Sequence, residues 1–401
     1  MRFPEFSGEW EKCKVSDFLD FYSTNSLAWE QLEYRVRGLK NLHYGLIHNG
    51  LSTCVDVDAA DLPTIKESCA PKKYTLCKEG DVAFADASEG TNDVAKCVEF
   101  TNCAENSIVC GLHTIHGRDK SNKTVIGFKG YAFSAQSFRH QIRRLAQGTK
   151  IYSINSKNFS ECYIGIPSKE EQSKIATLLS LIDQRIETQK KIIEKYESLI
   201  RGLTDTAFTI KSSIPLINFS NLYKDAGEGG TPSTSNSEYY DGGTIPFIKI
   251  DDLMTKYLVT HKDCITEQGM QKSSAWLIPS SSVIYSNGAT IGSIAINTYP
   301  VCTKQGILGI IPKDNVDVEY LYYFMTSVYF RKEIHRIITE GTMKTAYLKD
   351  INKILCPLPD LATQKSIANK LASVTKKIEL DKRALSLLLI QKKYLLSHLF
   401  I

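Results

Sequence analysis

The residues of this 401-residue sequence that could do chemistry lie in small polar clusters between apolar runs. Asn287, Gly288 and Thr290 fall between two strand-like runs, where a glycine lets backbone approach a ligand closely. Lys304 and Gln305 follow the next apolar run. Lys344 and Tyr347 follow Gly341-Thr342, and Lys150 and Tyr152 follow a matching pair, Gly148-Thr149. Lys249 sits in Ile245–Leu253, read as a strand with polar residues at its exit. Lys and Thr side chains hold phosphates, and Asn, Gln and Lys read base edges. With Thr342, these residues are the candidates for contact with a DNA groove. Their chemistry is recognition, not bond breaking.

Motifs for catalysis are absent from the sequence. There is no Gly-x4-Gly-Lys-Ser/Thr phosphate loop, no Gly-x-Ser-x-Gly elbow and no His-Glu-x-x-His helix. Nor is there an Asp/Asn/Ser-Pro-Pro-Phe/Tyr tetrapeptide, the base-pocket signature of amino-methyltransferases. The Gly-rich GEGGTPST from Gly227 has no Lys after its glycines and reads as a flexible turn. Asp251-Asp252 reads as a cap or turn. The densest thiol cluster, Cys97, Cys103, Cys110, His113 and His116, matches no standard zinc spacing. It reads as strand and core residues, and no metal is expected. The cysteines are odd in number and lack CxxC pairs, the usage of a cytosolic protein with reduced thiols. No run reaches the ~18 apolar residues of a membrane span, and no apolar signal segment opens the sequence. A cytoplasmic location, with no membrane partner, is expected.

The elements that must position these clusters are organised by a repeat. Ile175, Leu179, Ile182, Ile186, Gln189, Ile193, Tyr196, Ile200 and Leu203 alternate by four and three residues, a heptad seam with one polar interruption. The predicted helix runs from Pro167 to about Leu203, roughly 50 Å at ~1.5 Å per residue, with Gly202 its first break. The pattern returns 192 residues on as Ile367, Leu371, Val374, Ile378, Asp381 and Leu385, with Asp381 matching Gln189. Lys392 is a second lapse. A long helix with one apolar stripe needs a partner, and its own copy is the simplest. The alternative is that each helix packs on its own domain.

The seams divide the chain into a first domain (1–165), a central helix (166–205), a second domain (206–358) and a C-terminal helix (359–401). Thr124–Phe128 is predicted to be a strand joined to its neighbour by the turn Lys120–Lys123, and Ala135–Ala146 a helix. Glu319–Ile338 is the longest helical pattern of the second domain, and Trp276–Ile296 reads as strand, loop, strand. The domains align at their exits, Phe138-Arg139 with Phe330-Arg331 and Ile142 with Ile334, again 192 apart. Elsewhere their sequences diverge, so the frame is duplicated while the contents differ. The net charge of +5 is carried by the segment from Asp360, so it does not by itself argue for nucleic acid.

With these features the chain resembles the DNA-specificity subunits of type I restriction–modification enzymes. The likeness rests on RFPEF…GEW (Arg2–Trp10), GGTPS…YYDGGTIPFIKIDDL (Gly229–Leu253), SSSVIYSNGATIG (Ser280–Gly292) and the two Gly-Thr…Pro…Gln…Ile-Ala exits. The first domain departs from the pattern: it lacks a GGTPS-type opening and has an unusual SFRHQIRRLAQGT exit. The resemblance implies an α+β fold with an internal pseudo-twofold repeat. Two α/β target recognition domains would each be followed by a long helix, the helices pairing as an antiparallel coiled coil. It implies a non-catalytic reader of a bipartite, asymmetric site on double-stranded DNA. Its partners would be two modification subunits, which bring S-adenosylmethionine, and restriction subunits, which bring ATP and Mg; no cofactor is expected in this chain. Two other readings compete: a coiled-coil adaptor that binds only proteins, and a methyltransferase or nuclease complete in one chain.

Overall fold

The computed structural model describes residues 2–35, 37–103, 107–209, 214–288, 290–338 and 344–400. The chain divides into two compact units, Met1–Lys190 with Arg383–Ile401, and Lys191–Lys382. Both boundaries fall inside long helices, Lys169–Phe208 (40 residues) and Leu361–His398 (38 residues). The central helix therefore runs past Gly202, the predicted break. A glycine costs a helix about 1 kcal/mol relative to Ala, and the flanking turns outweigh that. No helix among the described residues is long and apolar enough to cross a membrane.

The first unit is built on a five-stranded sheet. Its order is Leu19–Tyr22, Thr114–Asp119, Val82–Ala85, Cys97–Thr101 and Cys54–Asp56. All neighbours are antiparallel except the last pair. The second unit repeats that order with Tyr223–Glu228, Ile307–Pro312, Val283–Ser286, Ile294–Asn297 and Tyr257–Leu258, again parallel only at the last pair. Each unit also has a smaller sheet with a parallel pair at one edge, Lys40–Leu42 with Ile108–Cys110, and Ile245–Ile248 with Cys302–Thr303. The duplication thus extends from the frame into the domain contents, where sequence alignment fails. Backbone pairing tolerates any side chain that suits a pleated surface, so topology persists when sequence does not.

Two short helices cover each sheet, Phe128–Ser134 with Gln136–Leu145, and Val318–Thr326 with Val328–Ile337. The pattern over Glu319–Ile338 is therefore two helices. Ser327 breaks it with an extended ψ of 154°, its hydroxyl capping the Phe330 N–H. The aligned pairs Phe138/Phe330 and Ile142/Ile334 are all buried in the two cores. Val125–Gly127 is a turn into the first of these helices, not a strand, because Gly127 takes φ +85°. Trp276 likewise precedes its strand, which starts only at Val283.

Both exits are built identically. A strand before each domain pairs antiparallel with the strand that leads into the helix, Glu11–Lys14 with Tyr163–Ile166, and Leu216–Asn218 with Leu355–Pro357. Gln172 then clasps helix to domain. Its Nε2 donates to the Lys123 and Pro167 carbonyls at 3.0 and 2.9 Å, and its Oε1 accepts the Val125 N–H at 2.9 Å. Gln364 does the same with Asn315 O (3.0 Å), Pro359 O (2.8 Å) and Asp317 N–H (2.9 Å). Both amides are buried. In the first unit the opening motif adds a fork, Arg2 to Glu171 at 2.8 and 2.7 Å.

The predicted seam is buried where it matters. Ile175, Leu179, Ile182, Ile186, Ile193, Leu371 and Ile378 are all buried; Ile367, Val374 and Leu385 are half-buried. In the first unit Ile175–Ile186 share one apolar cluster with Leu385, Leu388, Leu395, Leu399 and the domain itself. In the second unit Ile200 and Phe208 cluster with Ile367, Leu371 and the domain core. Start thus meets end in each unit, the antiparallel arrangement, and both alternatives for the apolar stripe hold at once. The polar lapses are not equivalent. Gln189 Nε2 is buried without a hydrogen-bond partner among the described residues, whereas Asp381 is tied to Lys377 at 2.8 Å. Lys392 joins the helices in the first unit, with Nζ 2.6 Å from Asp183, whose other oxygen accepts the Tyr131 hydroxyl at 2.9 Å.

Candidate nucleic-acid interface

In the second unit four segments that are remote in sequence are locked together by backbone bonds. The N–H groups of Asn287 and Gly288 both donate to Gly306 O, at 3.1 and 3.2 Å. The Ala346 N–H donates to Asn287 O at 2.9 Å, and the Asn287 amide returns a bond to Ala346 O at 3.2 Å. The Lys304 N–H donates to Ile248 O at 3.0 Å. These bonds gather the predicted residues of Lys249, Asn287–Thr290, Lys304–Gln305 and Lys344–Tyr347 at one loop cluster. Glycines make the approach possible: a Cβ on Gly288 would sit 3.2 Å from the Gly306 Cα.

The candidates differ in what they can touch. Thr290, Lys304, Gln305 and Lys344 are exposed, and Tyr347 is exposed with Lys349 Nζ 5.5 Å above its ring. They are free to meet phosphates and base edges. Asn287 is fully buried, which corrects its assignment: it shapes the loop and presents nothing outward. Lys249 is engaged by Asp263 at 2.9 Å, and its N–H is held by Asp252, the cap foreseen for the Asp-Asp pair. Thr342 lies outside the described residues. The segment read as a flexible turn begins as the end of strand Tyr223–Glu228 and is then closely packed. A Cβ on Gly229 would lie 2.0 Å from Thr303 O, and one on Gly230 would meet the Ala275 N at 2.4 Å.

The first unit uses the same clasp. The Ile154 N–H donates to Asp86 O at 2.9 Å, and Ile154 lies 192 residues before Ala346, whose N–H is the donor to Asn287 O. Lys150 is exposed; Tyr152 is half-buried against the core, in a strand paired with Ala87-Ser88. Beside it is a groove that the sequence reading missed, lined by Trp29, His43, Tyr44, His48, His113 and Ile151. Trp29 and His43 lie 4.4 Å apart, His43 and Tyr44 4.7 Å, Tyr44 and His113 5.2 Å. Burial, then the neighbouring His113, lowers the His43 pKa. Its neutral Nδ1 accepts the Gly45 N–H at 3.1 Å. Rings and imidazoles offer flat faces and donors of both kinds. The signal was the local density of Trp, His and Tyr between Trp29 and His48.

The predicted Cys/His cluster is divided by the fold. Cys97 lies in the helix-side core, and His113 pairs with Asp86 at 3.1 Å. Cys110 and His116 do meet, and a residue outside the prediction, Cys77, joins them. All eleven cysteines are free thiols.

Residues 54–198 and 224–389 match the family model for the type I restriction modification DNA specificity domain. The chain belongs to that family. This specificity-domain chain is 36% identical over 169 residues (40% of the chain, 38% of the relative) to the type I restriction enzyme MjaIX specificity subunit of Methanocaldococcus jannaschii. It is 26% identical over 230 residues (52% of the chain, 55% of the relative) to the EcoR124I/EcoR124II specificity subunit of Escherichia coli. The matches thus span between about two fifths and just over half of these relatives. A crystal structure of a type I restriction-modification S subunit from M. genitalium covers 100% of this chain, and 99% of its own, at TM-score 0.59 and 17% identity. A structure from work on complex assembly of a type I R-M system covers 98%, and 97% of its own, at TM-score 0.60 and 14% identity. The fold is therefore that of S subunits, two domains with paired long helices, and the family is defined by DNA specificity, not by catalysis.

Proposed function

We propose that this chain is the non-catalytic DNA reader of a type I restriction–modification complex. Each domain reads one half of an asymmetric bipartite site on double-stranded DNA. The long helices hold the two modification subunits, which bring S-adenosylmethionine, and the assembly takes up restriction subunits with ATP and Mg in the cytoplasm. The observation that carries this reading is the pairing of one topology with two different loop clusters: Thr290, Lys304, Gln305, Lys344 and Tyr347 in one, Lys150, Tyr152 and the Trp/His groove in the other. One scaffold with two unlike reading heads suits two unlike half-sites.

The test is single-molecule methylome sequencing of cells carrying the chain and its modification subunit, against cells lacking the chain. A split methylated motif that disappears with the chain is expected. The same pattern in both strains would return the protein-only adaptor. Inserting one heptad between Ile193 and Tyr196 keeps the seam and adds roughly 10 Å of helix. The unread gap in the motif is then expected to lengthen by about three base pairs, at ~3.4 Å each.

Lys304→Ala with Lys344→Ala should remove two phosphate contacts. In the assembled methyltransferase, anisotropy titrations on the cognate duplex should show a log–log salt dependence shallower by about 1.8. An unchanged slope would place the phosphates elsewhere.

A further inference from the structure

The first domain holds three metal-ligating side chains around one buried point. Cys77 Sγ and Cys110 Sγ are 3.6 Å apart, and the ligand atoms of Cys77, Cys110 and His116 lie within 4.8 Å of one another. Their relative exposures are 7%, 2% and 0%. Two sulfurs each about 2.3 Å from a tetrahedral zinc ion stand about 3.8 Å apart, so the thiols already have the edge length of such a site. The His116 Nε2 is taken by Asp81 at 2.7 Å, while its Nδ1 is buried with no hydrogen-bond partner among the described residues. An orphaned imidazole nitrogen beside two thiols is a group that a metal would satisfy. Asp81 is itself fixed by Arg118 at 2.8 and 2.7 Å and by the Lys78 N–H at 2.8 Å. That carboxylate–histidine arrangement orients the ring and raises its basicity as a ligand.

We infer that Cys77, Cys110 and His116 form a structural zinc site in the first domain, with Asp81 as the residue that positions His116. Cys103 is half-buried against the same apolar cluster but outside the trio, so the fourth ligand would be a water or Cys103 after a local movement. Binding converts the two thiols to thiolates and releases their protons, together with any proton on the His116 Nδ1 that becomes a ligand. The site ties the segment before Val82 to strands Ile108–Cys110 and Thr114–Asp119, and so braces the sheet beside His113, which pairs with Asp86 and lines the groove. Among the described residues the second unit has no such cluster: Thr303 follows Cys302 where its parallel strand ends.

The full-length chain, purified without added metal or chelator, should contain about one zinc per chain by plasma mass spectrometry. Cobalt(II) substitution should give the visible bands of a tetrahedral thiolate site. Cys110→Ser and His116→Asn should lose the ion, while Cys97→Ser, buried in the same unit but outside the cluster, should keep it. Asp81→Asn should weaken zinc binding about 10- to 100-fold. If the ligand variants fail to fold, zinc released from the unaltered chain on thiol modification still decides the matter. A folded, metal-free chain whose melting temperature is indifferent to zinc and to chelator would overturn the site. So would zinc retained in full by Cys110→Ser and His116→Asn.

Discussion

Lys129→Met is expected to destabilise the first unit by about 3–5 kcal/mol, because it strands a buried carboxylate. Lys129 and Glu99 are 3.1 Å apart, with side chains 3% and 0% exposed. Glu99 also accepts the Gly130 N–H at 2.8 Å, and Lys129 donates to the Thr124 hydroxyl at 2.9 Å. Burial pushes the Glu99 pKa up, and the charge of Lys129 pulls it only part of the way back. With Lys129 gone the carboxyl will favour its neutral form more strongly. A folded-state pKa above the unfolded value removes stability as pH rises between the two. The penalty should therefore be small below about pH 4, the ordinary carboxylate range, and grow toward neutrality. Thermal denaturation should show a fall of roughly 10 °C at pH 7 and much less in acid. The double variant Lys129→Met/Glu99→Gln should recover most of the loss, since the amide keeps an acceptor for Gly130. A pH-independent loss would mean that packing of the lysine stem, not its charge, is what matters.

Gln172→Ala and Gln364→Ala form the second case, and each should cost about 2–4 kcal/mol. Each substitution abandons two carbonyls and one N–H at a buried helix start, and an unsatisfied buried group costs about 1–3 kcal/mol, partly relieved by water. Gln→Glu should be no better: a carboxylate keeps the acceptor for Val125 or Asp317 but turns oxygen toward two carbonyls. The clasps lie in different units, so their effects should add within about 0.5 kcal/mol. Denaturant midpoints of the two single variants and the double check both points. A cost near zero for Gln172→Ala would show that the apolar seam alone anchors the helix.

The long helices were legible in the sequence because a seven-residue apolar period sustained over five turns has no competing explanation, and the buried run from Ile175 to Ile193 follows it. The exit glutamines were visible as a repeated spacing, but their role was not, because Lys123 and Asn315 lie 49 residues away in sequence. Strands were seen piecemeal. Their order depends on pairings such as Cys54–Asp56 with Cys97–Thr101, which leave no local trace. For the same reason Cys77 was not connected to Cys110 and His116. Among the candidate contact residues, type and loop position separated polar clusters from core, but could not tell the outward Lys304 from the inward Asn287. That depends on which way a loop folds, and here the Gly288–Gly306 approach decides it.

The division of the chain bears on how it is made. The second unit is one uninterrupted stretch, Lys191–Lys382, whereas the first is completed only by Arg383–Ile401. Leu395, Leu399 and Phe400 fill the first unit's core, Phe400 meeting both Trp10 and Phe128 edge-on or tilted. Chains emerging from the ribosome usually settle their leading domain first. Here the first unit must wait, with its apolar face open, until residues 383–400 arrive, while the second unit, translated between, can close before it. Deleting residues 383–400 would thus injure the first unit and spare the second.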